Sequence, residues 1–302
     1  MLGDNLKVHF AGSEQLGLFE AALAAGVRYQ LFTVFSFISE KFGIKGFPCV
    51  GVKDKELLLR LLKENIANQE HTIMDSGLFT LMFGAHAGKR DKAFIYRWAD
   101  ELAKFVNDNG IKATCVEVDC QKVLGVDEAW DMRHRMKGML PNNRIINVFH
   151  MEDGAKGLDR IIEYSDYIAI SVPEMRIVYG SGERYENAVI RLSNYIKNRK
   201  PRIDIHLLGC TSRRLLEQCR FCTTSDSTSW TGVNRFGGVT YNGEKHHVSS
   251  IRKDELEKIE QKLMIRFKER GISANRFDYY ANVVCACRCL LQDYTRWAGD
   301  QT

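Results

Sequence analysis

Short apolar runs recur along the chain near positions 8, 32, 73, 116, 147, 168, 205 and 222, and most are separated by a segment with helical spacing. Runs of this kind, bounded by glycines and polar residues, read as strands buried on both faces, which is how strands of a helix-covered parallel sheet look. Eight β-α units within 302 residues predict an α/β protein, a (β/α)8 TIM barrel with a C-terminal helical extension. A doubly wound open sheet is the alternative. No G-x-G-x-x-G follows the first run, which counts against a dinucleotide-binding version.

The strands are expected at Lys7–Phe10, Tyr29–Phe35, Thr72–Met74, Ala113–Val118, Arg144–Phe149, Tyr167–Ile170, Ile203–Leu208 and Arg220–Thr224. Helical stretches fall between them: Glu14–Ala25 with Ser13 as N-cap, Asp54–Gln69, Lys92–Asn107 stopped by Gly110, Asp127–Leu140, Ala155–Tyr164, Glu183–Arg199 and Ser212–Gln218. Residues 228–250 then read as a long loop carrying glycines and aromatics. Arg252–Arg270 reads as an amphipathic helix stopped by Gly271, and Arg276–Trp297 as a closing helix. With four prolines and no low-complexity run, nothing marks a linker, so 1–302 is expected to form one domain. No apolar run reaches 18 residues and the opening MLGDNLKVHF lacks a signal-peptide layout, so the expectation is a cytoplasmic protein with no membrane partner. Nine cysteines, an odd and scattered set, read as reduced thiols, metal ligands or small buried hydrophobes rather than a disulfide framework. The net charge of +5 permits a polyanionic partner, and Asp and Glu are sparse between Asn187 and His247, where Lys and Arg recur.

In a barrel the strand ends carry the chemistry. Here they deliver Asp75, Asp119, His150, Ser171, Gly209 and Asp226. The stretch HTIMDSGLF, His71 to Phe79, is the sharpest case: a carboxylate, a hydroxyl and a glycine close an apolar strand. Three carboxylates at one mouth repel one another, an arrangement that is costly unless it acts. Its general use is a nucleophile or oxocarbenium stabiliser paired with a general acid/base. Any single one could instead cap the following helix, and Asp75 or Asp226 alone is equally well explained that way.

The order of these residues resembles a known family. Asp75-Ser76-Gly77-Leu78-Phe79 is similar to the DSGG-aromatic motif of the tRNA-guanine transglycosylases. Ser165 to Ser171, SDYIAIS, resembles that family's strand ending at the base pocket, and His206 to Gly209 its next strand. Arg220 to Trp230, ending SDSTSW, sits where the family has its nucleophilic aspartate. The match covers roughly residues 70–230 and is nearest to the shortened branch encoded by phages and bacterial DNA-modification islands, the DNA 7-deazaguanine transglycosylases.

The resemblance implies roles. Asp226 would be the nucleophile holding a covalent glycosyl intermediate, and Asp75 would move protons on and off the base. Asp119 would accept from the guanine-like edge, while Ser76, Gly77, His150, Ser171, Val172 and Gly209 would line the base pocket. It also implies exchange of guanine in DNA for a 7-deazaguanine such as 7-cyano-7-deazaguanine, with no cofactor required, in the host cytoplasm for a phage-encoded chain; a homodimer is left open, since the sequence does not fix the oligomeric state. The chain departs from the family where Ser171-Val172-Pro173 replaces a glycine pair, where Leu78 replaces the second glycine, and where Phe149-His150 stands near the base-reading glutamine; these departures bear on base selectivity. The family's structural zinc uses Cys-x-Cys-x-x-Cys with a distant His. Cys285-Ala286-Cys287-Arg288-Cys289 is one residue shorter and no His follows His247, so buried helical cysteines are expected and no metal ligand is assigned.

Within 228–250, Trp230, Arg235, Phe236, Tyr241, Lys245, His246 and His247 interleave aromatics with cations, a composition suited to phosphate contact and base stacking. Trp230, Arg235 and Lys245, together with Arg213 and Arg214, are the expected nucleic-acid contacts. A tRNA transglycosylase, a carboxylate-based barrel hydrolase and a catalytically inactive nucleic-acid-binding barrel remain open as alternatives.

Overall fold

The computed structural model describes residues 5–12, 16–44, 52–68, 71–82, 90–251, 255–271, 273 and 277–299. Eight parallel strands close into a barrel in sequence order: β1 (Lys7–Ala11), β2 (Gln30–Thr33), β3 (Thr72–Asp75), β4 (Thr114–Val116), β5 (Ile145–Phe149), β6 (Tyr167–Ser171), β7 (Asp204–Leu208) and β8 (Thr224–Ser227). Helices surround it, and a long helix, Phe277–Ala298, follows. The fold is therefore the (β/α)8 barrel.

The strands are buried along nearly their whole length: all four residues of β2, and every residue of β6 before Ser171. Each fully buried Ile, Leu, Val or Phe contributes about 1.5–3 kcal/mol relative to exposure. Continuous apolar runs such as Ile145–Phe149 therefore settle as strands covered on both sides. Register follows the parallel ladder, with Asn147 beside Ile168 and Phe149 beside Ile170. The helix Glu183–Arg199 has the bounds read from sequence, and Lys92–Asp108 begins on the N-cap Asp91, whose side chain accepts from the Phe94 N–H. The proposed cap Ser13, and Arg252 and Arg276, lie outside the described residues.

Three expectations are corrected. The second strand ends at Thr33, and Phe35–Ile38 turns into helix, because Phe35 and Ile38 pack inward in a helical turn although their types suit a strand. The last strand is Thr224–Ser227, not Arg220–Thr224: the helix Arg213–Gln218 closes with a turn in which the Cys222 N–H donates to the Cys219 carbonyl, so pairing with β1 begins only at Thr224. Residues 228–250 are not a loop. They hold short helical turns, Ser229–Gly232, Val233–Phe236 and Val248–Ile251, and an antiparallel hairpin of β9 (Gly238–Tyr241) and β10 (Glu244–His247).

By contacts the chain divides into two compact units, Met1–Leu31 with Leu207–Thr302, and Phe32–His206. The first packs Phe10 against Trp230 and Tyr294, with ring centroids 6.1 and 5.8 Å apart. The second packs Trp98 against Phe35 at 6.0 Å. Among the described residues, no helix is long and apolar enough to cross a membrane.

Candidate active site

In the unit Phe32–His206, the candidates lie at or just past the carboxyl ends of strands, and contacts join Asp119 with His150. Asp75 is the last residue of β3, and its Oδ2 accepts from the Gly77 N–H at 2.9 Å, closing a tight turn. Gly77 is required there. Its φ is +72°, and a Cβ would come within 2.8 Å of the Thr33 hydroxyl and 2.9 Å of the Phe35 side chain. The turn is fastened from outside by Trp98, whose indole donates to the Ser76 carbonyl at 2.8 Å. Asp75 is thus presented by a crowded turn held by its own carboxylate and by Trp98.

Asp119 follows β4, His150 follows β5, and Ser171 ends β6. The imidazole of His150 is 5% exposed and lies between two carboxylates, with Nε2 2.8 Å from Asp119 Oδ1 and Nδ1 2.9 Å from Glu174 Oε2. Each carboxylate needs an N–H, and only the doubly protonated ring supplies both. Burial alone would lower the pKa of His150, but the hydrogen bonds and charges of Asp119 and Glu174 outweigh it and hold the ring as imidazolium, with a pKa raised to about 10. Glu174 is desolvated, which raises its pKa, yet His150 and Lys122 bring it below the usual carboxylate range. Lys122 bridges outward, with Nζ 3.1 Å from Glu174 and 2.7 Å from Glu152. Asp119 remains 29% exposed, the most open carboxylate of the His150 pair.

Ser171 sits as an N-cap. Its hydroxyl accepts from the Glu174 N–H at 3.3 Å, with Pro173 in the first turn of the helix Val172–Tyr179. Val172 is buried in that turn. The pair therefore places Glu174, a residue that reading Ser171-Val172-Pro173 as a strand end overlooks. The signal was present: Ser-x-x-Glu is the capping-box spacing. Here the glutamate side chain goes to His150, Lys122 and the Met151 N–H.

In the other unit, Asp226 is the third residue of β8, buried, beside His9 of β1 in register. Its Oδ1 accepts from the Gly209 N–H at 2.7 Å, so Gly209 contributes through its backbone. Ser227 and Ser229 follow, their hydroxyls 2.8 Å apart.

The expected nucleic-acid residues separate into two groups. Trp230 is 1% exposed and donates to the Ala11 carbonyl at 2.8 Å, so it anchors the segment instead of offering a stacking face. Its indole N–H finds an internal acceptor, which fixes it inside. Arg235 and Lys245 are exposed. Arg235 lies over the ring of Phe236, which is 74% exposed. Arg213 pairs with Glu217 at 2.7 Å and stands over the Trp297 ring. Arg214 is the second residue of the same helix and is half-buried. In the hairpin, Val239 is buried and pairs with His246, so Thr240 with Lys245 and Gly238 with His247 form the opposite face. The tip is Asn242-Gly243, with positive φ at both positions, tied to Asp293 and Arg296 of the C-terminal helix. That dipeptide between two short strands is a hairpin signal legible in sequence.

Cys285, Cys287 and Cys289 are buried on the helix Phe277–Ala298. The Cys289 thiol, hydrogen-bonded to Cys285 and buried, is pushed well above the usual thiol range, and burial does the same to Cys287. Among the described residues, no group of three or more His, Cys, Asp or Glu is arranged to hold a metal ion. No family model and no curated protein matches this chain.

Proposed function

We propose that the protein exchanges guanine in DNA for a 7-deazaguanine through a covalent aspartyl-glycosyl intermediate. The observation that carries the reading is Asp226: a buried carboxylate on the last barrel strand, steadied by one backbone N–H from Gly209 at 2.7 Å. A carboxylate so held is aligned for attack, and its burial favours passing its charge to an electron-poor sugar carbon. The order of motifs shared with the transglycosylases supports the same assignment.

In this reading, Asp226 attacks C1′ and the glycosidic bond breaks, its electron pair leaving with the guanine N9. Asp75 supplies the proton that completes the departing base. The incoming base then loses its N9 proton to Asp75, its N9 bonds to C1′, and the ester electrons return to Asp226. Asp119 accepts N–H donors from the guanine-like edge. The base must leave the duplex stack before C1′ is reached, at a cost of a few kcal/mol. The outer face of the hairpin, with Lys245, and the neighbouring Arg235 and Phe236 would hold the opened strand.

The test is incubation with labelled 7-cyano-7-deazaguanine and either duplex DNA or tRNA. Label entering DNA is expected. Label in tRNA alone would move the substrate to RNA, and in neither would return the carboxylates to a hydrolase. Asp226→Asn is expected to abolish the covalent DNA adduct, detected as a denaturant-stable band shift, while DNA binding persists. Full exchange by that variant would remove Asp226 as nucleophile.

A further inference from the structure

We propose that Glu174 is a positioning residue that, through His150, fixes the edge Asp119 offers to the incoming base. The inference rests on the reading of Asp119 as the base acceptor. Three strand ends meet in this constellation: Asp119 after β4, His150 after β5, and Glu174 one turn into the helix after β6. Asp119 is reached at 2.8 Å by one ring nitrogen of His150, and the other ring nitrogen lies 2.9 Å from Glu174. Glu174 in turn cannot swing away. Lys122 Nζ stands 3.1 Å from Oε1, the Met151 N–H donates to the same oxygen at 3.4 Å, and its own backbone N–H is capped by Ser171.

His150 has no nitrogen left for a ligand and is almost wholly buried, so it acts on substrate only through Asp119. With Oδ1 engaged, Asp119 is restricted in rotation, and a carboxylate accepts only. It favours a base whose edge carries adjacent ring N–H and exocyclic amine donors. It disfavours one lacking the amine, because a directed polar site rejects a partner that leaves it unpaired. The groups facing His150 and Glu174 are Asp119 from the β4 end, Lys122 from the helix Gln121–Leu124, and Glu152 from the turn Met151–Asp153, with Gln121 linking Glu152 to Asp153. Removing the Glu174 charge leaves Asp119 as the carboxylate bonded to the ring, so the Nδ1 proton is lost at lower pH and the remaining Nε2–H bond to Asp119 becomes a weaker one from a neutral ring.

The test uses the full chain, wild type beside E174Q and E174D, with labelled 7-cyano-7-deazaguanine and duplex DNA between pH 6 and 9.5. In E174Q, the KM for the base should rise about tenfold at pH 8.5, the size of one lost charge-assisted hydrogen bond, and less at pH 6, with kcat moving less than KM. Discrimination between 7-deazaguanine and 7-deazahypoxanthine as competitors should narrow in the same variant. E174D, which keeps the charge on a shorter arm, should fall between the two. The ¹⁵N shifts of the His150 ring should show an imidazolium at pH 8.5 in wild type and a neutral ring in E174Q. A wild-type KM and flat pH profile in E174Q, or a loss carried wholly by kcat, would overturn the role of Glu174. If E174Q does not fold, E174D decides, with wild-type KM and discrimination overturning the role and a raised KM sustaining it. Absence of label from wild type in both DNA and tRNA would instead remove the exchange reading itself, leaving the ring shifts to judge the geometry separately.

Discussion

Glu117 and Asp119 stand two residues apart just past β4, and the structure treats them in opposite ways. Glu117 is 2% exposed and saturated: Arg133 donates from Nε at 3.0 Å and from Nη2 at 3.1 Å, Asn147 at 2.6 Å, and the Val148 N–H at 3.0 Å. Arg133, 1% exposed, also donates to the Val148 carbonyl, and Ser165 completes the chain through Asn147. Burial pushes the Glu117 carboxyl up and the Arg133 charge pulls it back, with the upward direction winning. Asp119 is more than ten times as exposed and takes its hydrogen bond from a histidine that is itself pinned elsewhere. A buried carboxylate whose two oxygens each accept at least two hydrogen bonds has little to offer a ligand; this one holds β4, β5 and the helix Val126–Met139 in register. The half-open carboxylate is the one with unused acceptor capacity. Pattern alone puts Glu117 inside the expected strand Ala113–Val118 and Asp119 just past it, and burial and partner count show how differently the two are held.

The division is broken most forcefully by Arg133→Ala. It strands the Glu117 carboxylate in the interior, which costs about 3–5 kcal/mol. The urea midpoint should fall accordingly, while replacing both members of the pair by apolar residues should recover most of the loss. Asp119→Asn should lower the same midpoint by less, because Asp119 is partly exposed and Glu174 still holds the His150 ring. Equal destabilisation by the two would erase the distinction between a saturated, buried carboxylate and a half-open one.

His150 supplies an intermediate case, because it is buried like Arg133 yet titratable. Its folded pKa, raised to about 10, lies above the ordinary 6.5. Stability from its two carboxylate bonds is therefore fully present below pH 6.5 and is lost as pH rises through about 10. A contribution on the order of 5 kcal/mol should disappear across that window, read as the difference in unfolding free energy between wild type and His150→Gln. A pH-independent difference between the two proteins would mean that the ring is neutral and that one of the two contacts is not made.

The barrel was legible because its strands bury on both faces, and runs such as IINVF and YIAIS have few other ways to be satisfied. The last strand was misplaced for the complementary reason. Thr224, Ser225, Asp226 and Ser227 are polar, and nothing in their propensity announces a buried strand; pairing with β1 makes them one. Asp75 was legible from the DSG turn, since Gly77 leaves no room for another residue. Glu174 was not read, because its importance lies in a contact to His150 across 24 positions, which spacing along one helix cannot express. Trp230 failed differently. An aromatic among cations suits stacking on nucleic acid and packing in a core equally well, and the Ala11 carbonyl decides for the core.

The smallest expected effect belongs to charges that are neither buried nor paired inside the fold. Lys245 stands on the exposed face of the hairpin, opposite Thr240. The hairpin is anchored without it: Val239 is buried, and Asn242 and Gly243 are held by Arg296 and Asp293. Lys245→Ala should therefore leave the unfolding midpoint where it is. If the outer face meets a phosphate backbone, the variant should weaken binding to duplex DNA uniformly across sequences, and the slope of log affinity against log salt should fall by about one. Arg133→Ala, in contrast, should lower the active fraction without altering that slope, because Arg133 is buried and meets no phosphate. An unchanged salt slope in Lys245→Ala would take this face out of the nucleic-acid contact and leave the polymer to be held elsewhere.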